Sequence, residues 1–200
     1  MTLIELLVAL AIIVATFLIG MPQLGVTSAN SRIRTLAGSF LAGLQQARSE
    51  AIQRGLAVTF RQGTGLSVTA NGFALPLSVD GSGVDWAVSD AQTGTLIKAS
   101  SATEGSAAAT VAVSSATATA YRGEIQFDSF GQAWGSVGDG TFATLAATVV
   151  LTFAPVANAT AAINCAAPSG GYRCQQISVS PNGQIRQCDP AAAAGDTRAC

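Results

Sequence analysis

The first part of the chain is almost wholly apolar. Leu6–Met21 is a run of 16 residues without a charge, and apolar residues continue on the other side of Glu5 as far as Leu3. At about 1.5 Å per residue, a helix over this stretch would be roughly 30 Å long, which is the thickness of the hydrocarbon core of a bilayer. The pattern predicts a hydrophobic helix over residues 1–24 that crosses a membrane or forms the core of a filament.

Glu5 is the charged residue inside this apolar stretch. A carboxylate in hydrocarbon is costly, so an acid at this position indicates a function. The N-terminal amine is four residues away, and an ammonium group next to the carboxylate would offset the desolvation of both. If the amine comes from a second copy, Glu5 selects the register of an assembly. The alternative is local, because Thr2 and Glu5 have the spacing of a capping box.

Gly20 and Pro22 stand at the end of the apolar run and are expected to interrupt and bend the helix. Pro22 has no N–H group, so the carbonyl of Leu18 loses its helical partner. One interpretation is a static kink where the chain leaves the membrane. The other is a weak point at which the helix unwinds and lengthens, and the sequence leaves both open.

The helical pattern resumes after Pro22 as an amphipathic stripe, which predicts the second half of the same helix over residues 25–55. Such a stripe needs a partner surface, so this half is expected to cover a sheet. Glu50 and Arg54 have a favourable i,i+4 spacing, and Gly55 is a good C-cap. One long, bent helix is therefore predicted from Thr2 to Arg54. The apolar stripe consists of Ile33, Leu36, Ala37, Phe40, Leu44, Ala47, Ala51 and Ile52.

Beyond Gly55 the period changes to alternation, which is typical of strands. The turn sequence Ser180-Pro181-Asn182-Gly183 predicts that the last two strands form a hairpin. We therefore expect an α+β fold, a long N-terminal helix packed on antiparallel β-sheets, with a head domain over residues 56–200. The predicted strands begin near Leu56 and continue at Leu66–Ala70, Ala74–Val79, Val84–Val88, Thr95–Ala99, Ala108–Ser114, Gly123–Asp128, Gln132–Trp134, Thr148–Ala154, Gln175–Ser180 and Gln184–Cys188.

Composition and charge narrow the range of possible functions. Only 10% of the residues are charged, against roughly 25% in average globular proteins, which suits a subunit packed against copies of itself. The net charge of −1 gives no general attraction for nucleic acid. The chain has no histidine, so it lacks the usual serine triad and the commonest metal ligand. We predict no enzyme activity, no cofactor and no metal site, and we interpret Asp80, Asp85 and Asp90 as turn residues rather than calcium ligands.

Four cysteines lie in the last 36 positions, which favours two disulfides formed in an oxidising compartment. Three pairings are open. We favour Cys165 with Cys174 and Cys188 with Cys200, because neighbours in sequence close the smallest loops.

The charges that follow the apolar segment conflict with a location of the head in an oxidising compartment. Arg32 and Arg34 follow the segment, and by the positive-inside tendency they would place the head in the cytoplasm. The cysteines argue for the opposite side. A short basic leader, removed from a precursor before this numbering begins, would reconcile the two observations, and we expect that one existed.

Several segments resemble one family. Thr2-Leu3-Ile4-Glu5-Leu6-Leu7 and the apolar run after it resemble the N-terminal signature of type IV pilins and pseudopilins, which also carry a proline where Pro22 stands. Ala47–Gly55, Gly123–Gly131 and Ile177–Arg186 resemble the H-type pseudopilin and FimT/FimU-like minor pilin branch. The resemblance implies a pilin fold and a structural subunit of a type IV pilus or related filament. The alternatives are a type II secretion pseudopilin and a FimT-like minor pilin that binds DNA for uptake.

The resemblance also implies how the subunit is processed and assembled. A prepilin peptidase would cut before Met1, where the family usually has Phe, and the new N-terminus would be methylated. Glu5 would then contact the N-terminal amine of a neighbour, with Gly20 and Pro22 in the same assembly segment. The implied partners are other pilin subunits, the peptidase and the assembly platform. The subunit would wait in the inner membrane as a single-pass protein with its head in the periplasm, and would end in an extracellular or periplasmic filament.

DNA is a further partner that the resemblance raises. A FimT-like subset binds DNA through a Gly-Arg-x-Arg motif near the C-terminus. The matching residues here are Gly183-Gln184-Ile185-Arg186, so one arginine is missing. Arg173, Arg186 and Arg198 are candidate DNA-binding residues if they cluster near the C-terminal hairpin, because phosphate binding needs a basic patch. The other interpretation is that they are ordinary solvated arginines.

Overall fold

The computed structural model describes residues 3–69, 72–74, 78–101, 109–115, 121–138, 140–155, 165 and 171–200. Helix α1 spans Leu3–Arg54, so the long helix expected from the sequence is confirmed and its helical backbone continues through Gly20 and Pro22. The helix is not broken there, as the prediction of one long helix requires. A bend at this point stays a prediction. Gly55 follows α1 with a φ of 64°, as a C-cap requires.

The strands of the head are β1 Val58–Thr64, β2 Ser67–Thr69, β3 Gly72–Ala74, β4 Ser78–Val79, β5 Asp85–Asp90, β6 Leu96–Ser100, β7 Ala109–Ser115, β8 Glu124–Phe127, β9 Ala133–Gly138, β10 Thr141–Thr144, β11 Val149–Pro155, β12 Gln175–Val179 and β13 Ile185–Cys188. In the described part of the chain they form three antiparallel sheets. One has the order β10-β9-β8-β1-β5-β6, with β4 also pairing with β1; the second has the order β13-β12-β11-β7, and the third pairs β2 with β3. The α+β architecture expected from the sequence is confirmed.

Two strand predictions need correction. The single strand expected over Ala74–Val79 is divided, because β3 ends at Ala74 and β4 covers Ser78–Val79, and residues 75–77 lie outside the described residues. Strand β10 was not predicted. It is a four-residue edge strand whose residues are all at least partly exposed, so it lacks the alternation of buried and exposed positions that identifies a strand.

The second half of α1 lies over both large sheets. Seven of the eight stripe residues are buried, and the exception is Ile52, which is 49% exposed. The ring of Phe40 contacts Phe60 of the first sheet at 5.8 Å and Phe153 of the second sheet at 5.2 Å between ring centroids, both edge-on. One aromatic side chain of α1 thus joins the two sheets in a single hydrophobic core.

The helix lies close against the first sheet at Gly43. A Cβ atom there would lie 2.8 Å from the ring of Trp86, which stacks on Phe60 at 5.7 Å. The Trp86 Nε1 group donates a hydrogen bond to Ser39 Oγ at 2.9 Å. A glycine is needed at this crossing, because a side chain would occupy the space of the indole ring.

Candidate assembly surfaces

The start of α1 is apolar and exposed on all sides. Its eight large apolar side chains between Leu3 and Ile13 are 51% to 81% exposed. A helix that is apolar all round requires an apolar environment. Within the described residues, no helix has a stretch both long and apolar enough to cross a membrane. The segment Leu3–Ile13 is an apolar surface that the described head does not cover.

Glu5 lies in the first turn of this exposed segment. The first turn of a helix favours an anion, because the backbone N–H groups there point towards it. Met1 and Thr2 lie outside the described residues, so the pairing of Glu5 with an N-terminus and the capping box both stay predictions. Gly20 and Pro22 are in the helix, but their side-chain environment also lies outside the described part.

The C-terminal region is fastened by two disulfides. They join Cys165 to Cys174 and Cys188 to Cys200, which is the pairing favoured from the sequence. The predicted hairpin is also present, since Gly183 N donates to Ser180 O at 2.8 Å in the turn between β12 and β13.

The three candidate DNA-binding arginines all have partners within the chain. Arg173 forms an ion pair with Asp189 at 3.4 Å, and Arg198 forms one with Asp196 at 2.8 Å. Hydrogen bonds from Arg198 lower the pKa of Asp196 to about 2. Arg186 Nη2 donates to the carbonyl of Ala199 at 2.9 Å and so holds the C-terminal loop.

Contacts tie all three arginines to the C-terminal loop. Asp189, the partner of Arg173, donates its backbone N–H to Arg198 O at 2.7 Å. Arg186 Nη2 reaches the carbonyls of Thr197 and Ala199, on either side of Arg198, at 3.5 and 2.9 Å. Each guanidinium is thus engaged within the chain, and a role in DNA binding stays a prediction.

The interpretation of the three aspartates as exposed turn residues is right for Asp80 and wrong for Asp85 and Asp90, which are buried at the two ends of β5. Asp80 accepts hydrogen bonds from Ser82, and Asp90 accepts them from the backbone of Gln92 and Thr93. These bonds, chiefly the one from the Ser82 backbone, lower the pKa of Asp80. The carboxylate of Asp85, in β5, accepts from a backbone N–H in the neighbouring segment rather than within a turn.

A further site, which the sequence did not reveal, lies where three segments meet. The turn after β8 and the hairpin turn after β12 touch, because Ala133 N donates to Pro181 O at 3.0 Å. A Cβ atom on Gly183 would lie 1.7 Å from the carbonyl oxygen of Gly131. Arg48 Nε packs against both glycines, at 3.0 and 3.3 Å from the positions that their Cβ atoms would take. The segments that carry the family resemblance in α1 and in the head thus converge on one point.

A groove opens beside this junction, and we name it the Arg48 groove. It has a volume of about 400 Å³. Arg48 forms no ion pair with a described residue, and its buried Nε has no hydrogen-bond partner among them. Phe130, in the adjoining turn, is 82% exposed. Arg48 is not part of the apolar stripe of α1, although it directly follows the buried Ala47. The groove is lined by Gln45, Arg48, Ser49, Ile52 and Ile185.

Comparisons with known proteins give one family match and several structural similarities. Crystal structures of the type IV minor pilin FimU from Pseudomonas aeruginosa align with TM-scores of 0.45 and 0.43 at 18% and 17% identity, covering 82% and 81% of this chain and 94% and 97% of theirs. The minor pseudopilin EpsH from the type 2 secretion system of Vibrio cholerae aligns with a TM-score of 0.40 at 14% identity, covering 80% of this chain and 99% of that one.

A comparison with curated protein sequences finds no match. The family model described as type II transport protein GspH matches residues 36–183, which is 148 of the 200 residues. The match covers α1 from Leu36 onwards, every strand of the two large sheets except β13, and the junction of the two turns. The chain therefore belongs to the GspH family, within the type IV pilin and pseudopilin superfamily, and is a structural subunit of a pilus or pseudopilus in the cell envelope rather than an enzyme.

Proposed function

We propose that this subunit enters its filament through the first part of α1, which lies in the inner membrane before assembly and among the helices of other subunits afterwards. The observation that carries the proposal is the apolar surface of Leu3–Ile13, which is exposed around the whole helix. Lipid tails and neighbouring helices are both apolar, so transfer from one to the other has no large hydrophobic cost. Residues 1–24 would form this core segment, residues 25–55 would join it to the head, and residues 56–200 would form the head.

Glu5 sets the register of the helices in this proposal. Its carboxylate pairs with the N-terminal amine of a neighbouring subunit, carried by Met1 after a prepilin peptidase has cut before it and the amine has been methylated. A carboxylate without a counter-charge in apolar surroundings costs several kcal/mol, so misaligned subunits are disfavoured. Gly20 and Pro22 adjust the helix where it leaves the membrane and are covered by neighbours in the filament. The assembly platform supplies the movement out of the membrane.

The disulfides support a periplasmic location of the head before assembly. Cys165–Cys174 and Cys188–Cys200 both lie in the head, and disulfides persist in oxidising compartments such as the periplasm. The head is therefore on the outer side of the inner membrane, and the chain crosses that membrane once.

Replacement of Glu5 tests the proposal. Glu5→Ala and the similarly shaped Glu5→Gln are expected to insert into the membrane normally but to enter filaments at least about tenfold less well, because both lack the charge that pairs with the amine. The control is Glu50→Gln, which removes a carboxylate from the head-proximal part of the same helix. Membrane fractionation and quantification of the subunit in sheared filaments measure the two steps. Normal incorporation of Glu5→Ala contradicts the register role.

The kind of filament can be decided by imaging with an antibody against the head. Labelling along the length of surface filaments identifies a major pilin, and labelling at the tip identifies a minor pilin. A subunit that is needed for secretion but gives no surface filament is a type II secretion pseudopilin.

DNA binding stays a prediction from the resemblance and is not proposed as a second function. Arg173 and Arg198 are engaged in ion pairs, and Arg186 holds the C-terminal loop. A gel-shift titration of the full chain in detergent at increasing salt would test it, because phosphate contacts weaken steeply with salt.

A further inference from the structure

The stretch Gly171–Arg173 fastens the head to α1 close to the apolar segment. The side-chain amide of Asn30 donates to the carbonyl of Gly171 at 2.9 Å, and Asn30 Oδ1 accepts from the backbone N–H of Arg173 at 2.8 Å. A Cβ atom on Gly171 would lie 3.5 Å from Val26 Cγ1. The stretch therefore lies beside Val26 and Asn30, just after the segment that the proposed function places in the membrane.

This position along the helix sets the distance of the stretch from the membrane. In the proposed function, residues 1–24 form the segment that lies in the bilayer. At about 1.5 Å per residue, Val26 is roughly 3 Å and Asn30 roughly 9 Å beyond the end of that segment. The headgroup layer extends roughly 5–7 Å beyond the hydrocarbon core on each side. Gly171–Arg173 therefore lies at the level of the lipid headgroups.

Tyr172 and Arg173 are residue types that suit this layer. Tyrosine is enriched at membrane interfaces, where its ring and its hydroxyl each find a suitable environment. Tyr172 is half-buried, and the side chain of Arg173 is 54% exposed although it pairs with Asp189 at 3.4 Å. A guanidinium has five N–H donors, so a single ion pair does not use them all. Arg173 can therefore donate to a lipid phosphate without losing Asp189.

Further arginines lie on the same side of α1. Arg34 lines a cleft of about 440 Å³ together with Arg198 and with Asp189, the partner of Arg173. Asp189 and Asp196 each hold one arginine in an ion pair, whereas Arg34 is exposed and forms no ion pair with a described residue. The cations around the cleft thus exceed the acids that pair with them, and the surface is positively charged.

This charge is close enough to the membrane to act on it. Arg34 is roughly 15 Å beyond residue 24 along the helix, and helical side chains point back towards the N-terminus. The guanidinium is therefore within about one Debye length, about 8 Å, of the headgroup layer.

The C-terminal loop lies at the same end of the head because of the direction of β13. Ile185, at the start of this strand, lines the Arg48 groove with Gln45, whereas Cys188, at its end, lines the cleft with Arg34. Strand β13 thus runs towards the start of α1, and the loop that follows it begins near the membrane. The positive surface is therefore confined to one side of the helix.

We propose that before assembly Tyr172, Arg173 and Arg34 rest on the headgroups of anionic phospholipids and hold the head against the membrane on the β13 side of α1. This inference rests on the proposed function, since it requires the start of α1 to lie in the bilayer. Each arginine near a negatively charged bilayer raises the affinity about fivefold. The phosphate comes from lipid rather than nucleic acid, because these residues flank the membrane anchor, and a duplex would have to enter between head and bilayer.

Photo-cross-linking of the full chain in lipid nanodiscs tests the contact. Benzoylphenylalanine placed at position 172 keeps an aromatic ring there and reacts with neighbouring C–H bonds. In an equimolar mixture of phosphatidylcholine and phosphatidylglycerol, adducts with phosphatidylglycerol are expected to exceed the others at least about fivefold. The control is the same label at Phe130, which is 82% exposed. Its neighbour Gly131 packs near Ile52, roughly 40 Å beyond residue 24 along the helix, so no lipid adduct is expected there.

Charge variants identify the cations. Arg34→Gln is expected to lower the preference for phosphatidylglycerol about fivefold, because it removes one cation and breaks no ion pair with a described residue. Arg34→Lys keeps the charge and is expected to keep most of the preference. Arg54→Gln is the matched control, since it removes a cation from the far end of the same helix. An unchanged preference in Arg34→Gln would contradict the assignment of this arginine to the lipid contact.

The outcomes separate this inference from the proposed function. The same label at Leu10, which is 51% exposed, reports whether the start of α1 is in the bilayer. Lipid adducts at position 10 but none at 172, or equal adducts with both lipids at 172, overturn the headgroup contact and leave the membrane anchor intact. Added duplex DNA that replaces lipid in the adducts at 172 overturns it as well, in favour of nucleic acid. No lipid adduct at position 10 contradicts the proposed function instead.

Discussion

The two halves of α1 share one backbone conformation but use their apolar residues in opposite ways. The large apolar side chains of Leu3–Ile13 are exposed, whereas Ile33, Phe40 and Leu44 are fully buried. The second half has a single apolar stripe, and the two sheets cover it. The first half is apolar all round, so one sheet could not cover it, and it needs surroundings supplied from outside the chain. One half of the helix therefore stabilises the head, whereas the head leaves the apolar side chains of Leu3–Ile13 uncovered.

The largest expected effect comes from truncating a leucine in the packed half of α1. A leucine in the exposed half serves as the matched control. Leu44→Ala is expected to lower the free energy of unfolding of the head by about 2–5 kcal/mol, because it leaves a cavity in the core. Leu7→Ala, where the leucine is 58% exposed, is expected to change it by less than about 0.5 kcal/mol. Denaturant unfolding of the full chain in detergent, followed by tryptophan fluorescence, measures both. Equal losses in the free energy of unfolding from the two variants would show that both halves of α1 stabilise the head.

A pair of glycine substitutions gives the next largest effect and locates the contact with the sheet. Gly43→Ala would place a Cβ atom 2.8 Å from the buried ring of Trp86, so we expect a loss of about 1–3 kcal/mol. Gly38 has open space at its Cβ position, so Gly38→Ala is expected to stabilise the helix by up to about 1 kcal/mol. The midpoints of denaturant unfolding should therefore move in opposite directions. A shift of both midpoints to higher denaturant would show that α1 does not pack closely on Trp86.

The smallest effect is expected at the surface of the packed half. Glu50 and Arg54 form an ion pair at 2.6 Å, with the arginine side chain 44% exposed. Glu50→Gln is expected to lower stability by about 0.5 kcal/mol or less, since exposed helix pairs contribute little. The same unfolding measurement at low and high salt checks it, with wild type as the control. A loss of several kcal/mol would mean that charge, and not the apolar stripe, fixes this half of the helix.

Local patterns in the sequence were sufficient for most of the elements. The extent of α1 and the hairpin at Ser180–Gly183 follow from hydrophobic period and turn chemistry, which involve residues close in sequence. Strand β10 was not predicted, because an exposed edge strand has no strong alternation of buried and exposed positions. The continuous helix through Pro22 was predicted, because the helical pattern resumes directly after the proline.

The candidate sites also include some that local sequence revealed and some that it did not. The apolar segment around Glu5 was visible in the sequence, because its meaning depends only on its neighbours in the chain. Each of the arginines at 173, 186 and 198 takes a partner in the folded C-terminal loop. These partners were not predictable from the sequence, because they depend on how the loop folds back on the hairpin.

By itself, the sequence determined a long helix with one all-apolar half and one striped half, a β-rich head and two disulfides between cysteine neighbours. These features depend on period, spacing and composition. The tertiary structure alone decided the Arg48 groove, because it joins Arg48, Gly131 and Gly183, which are separated by 83 and 52 positions in the chain. No local pattern encodes such a junction, since it arises when the core around Phe40 closes and brings two turns under one helix.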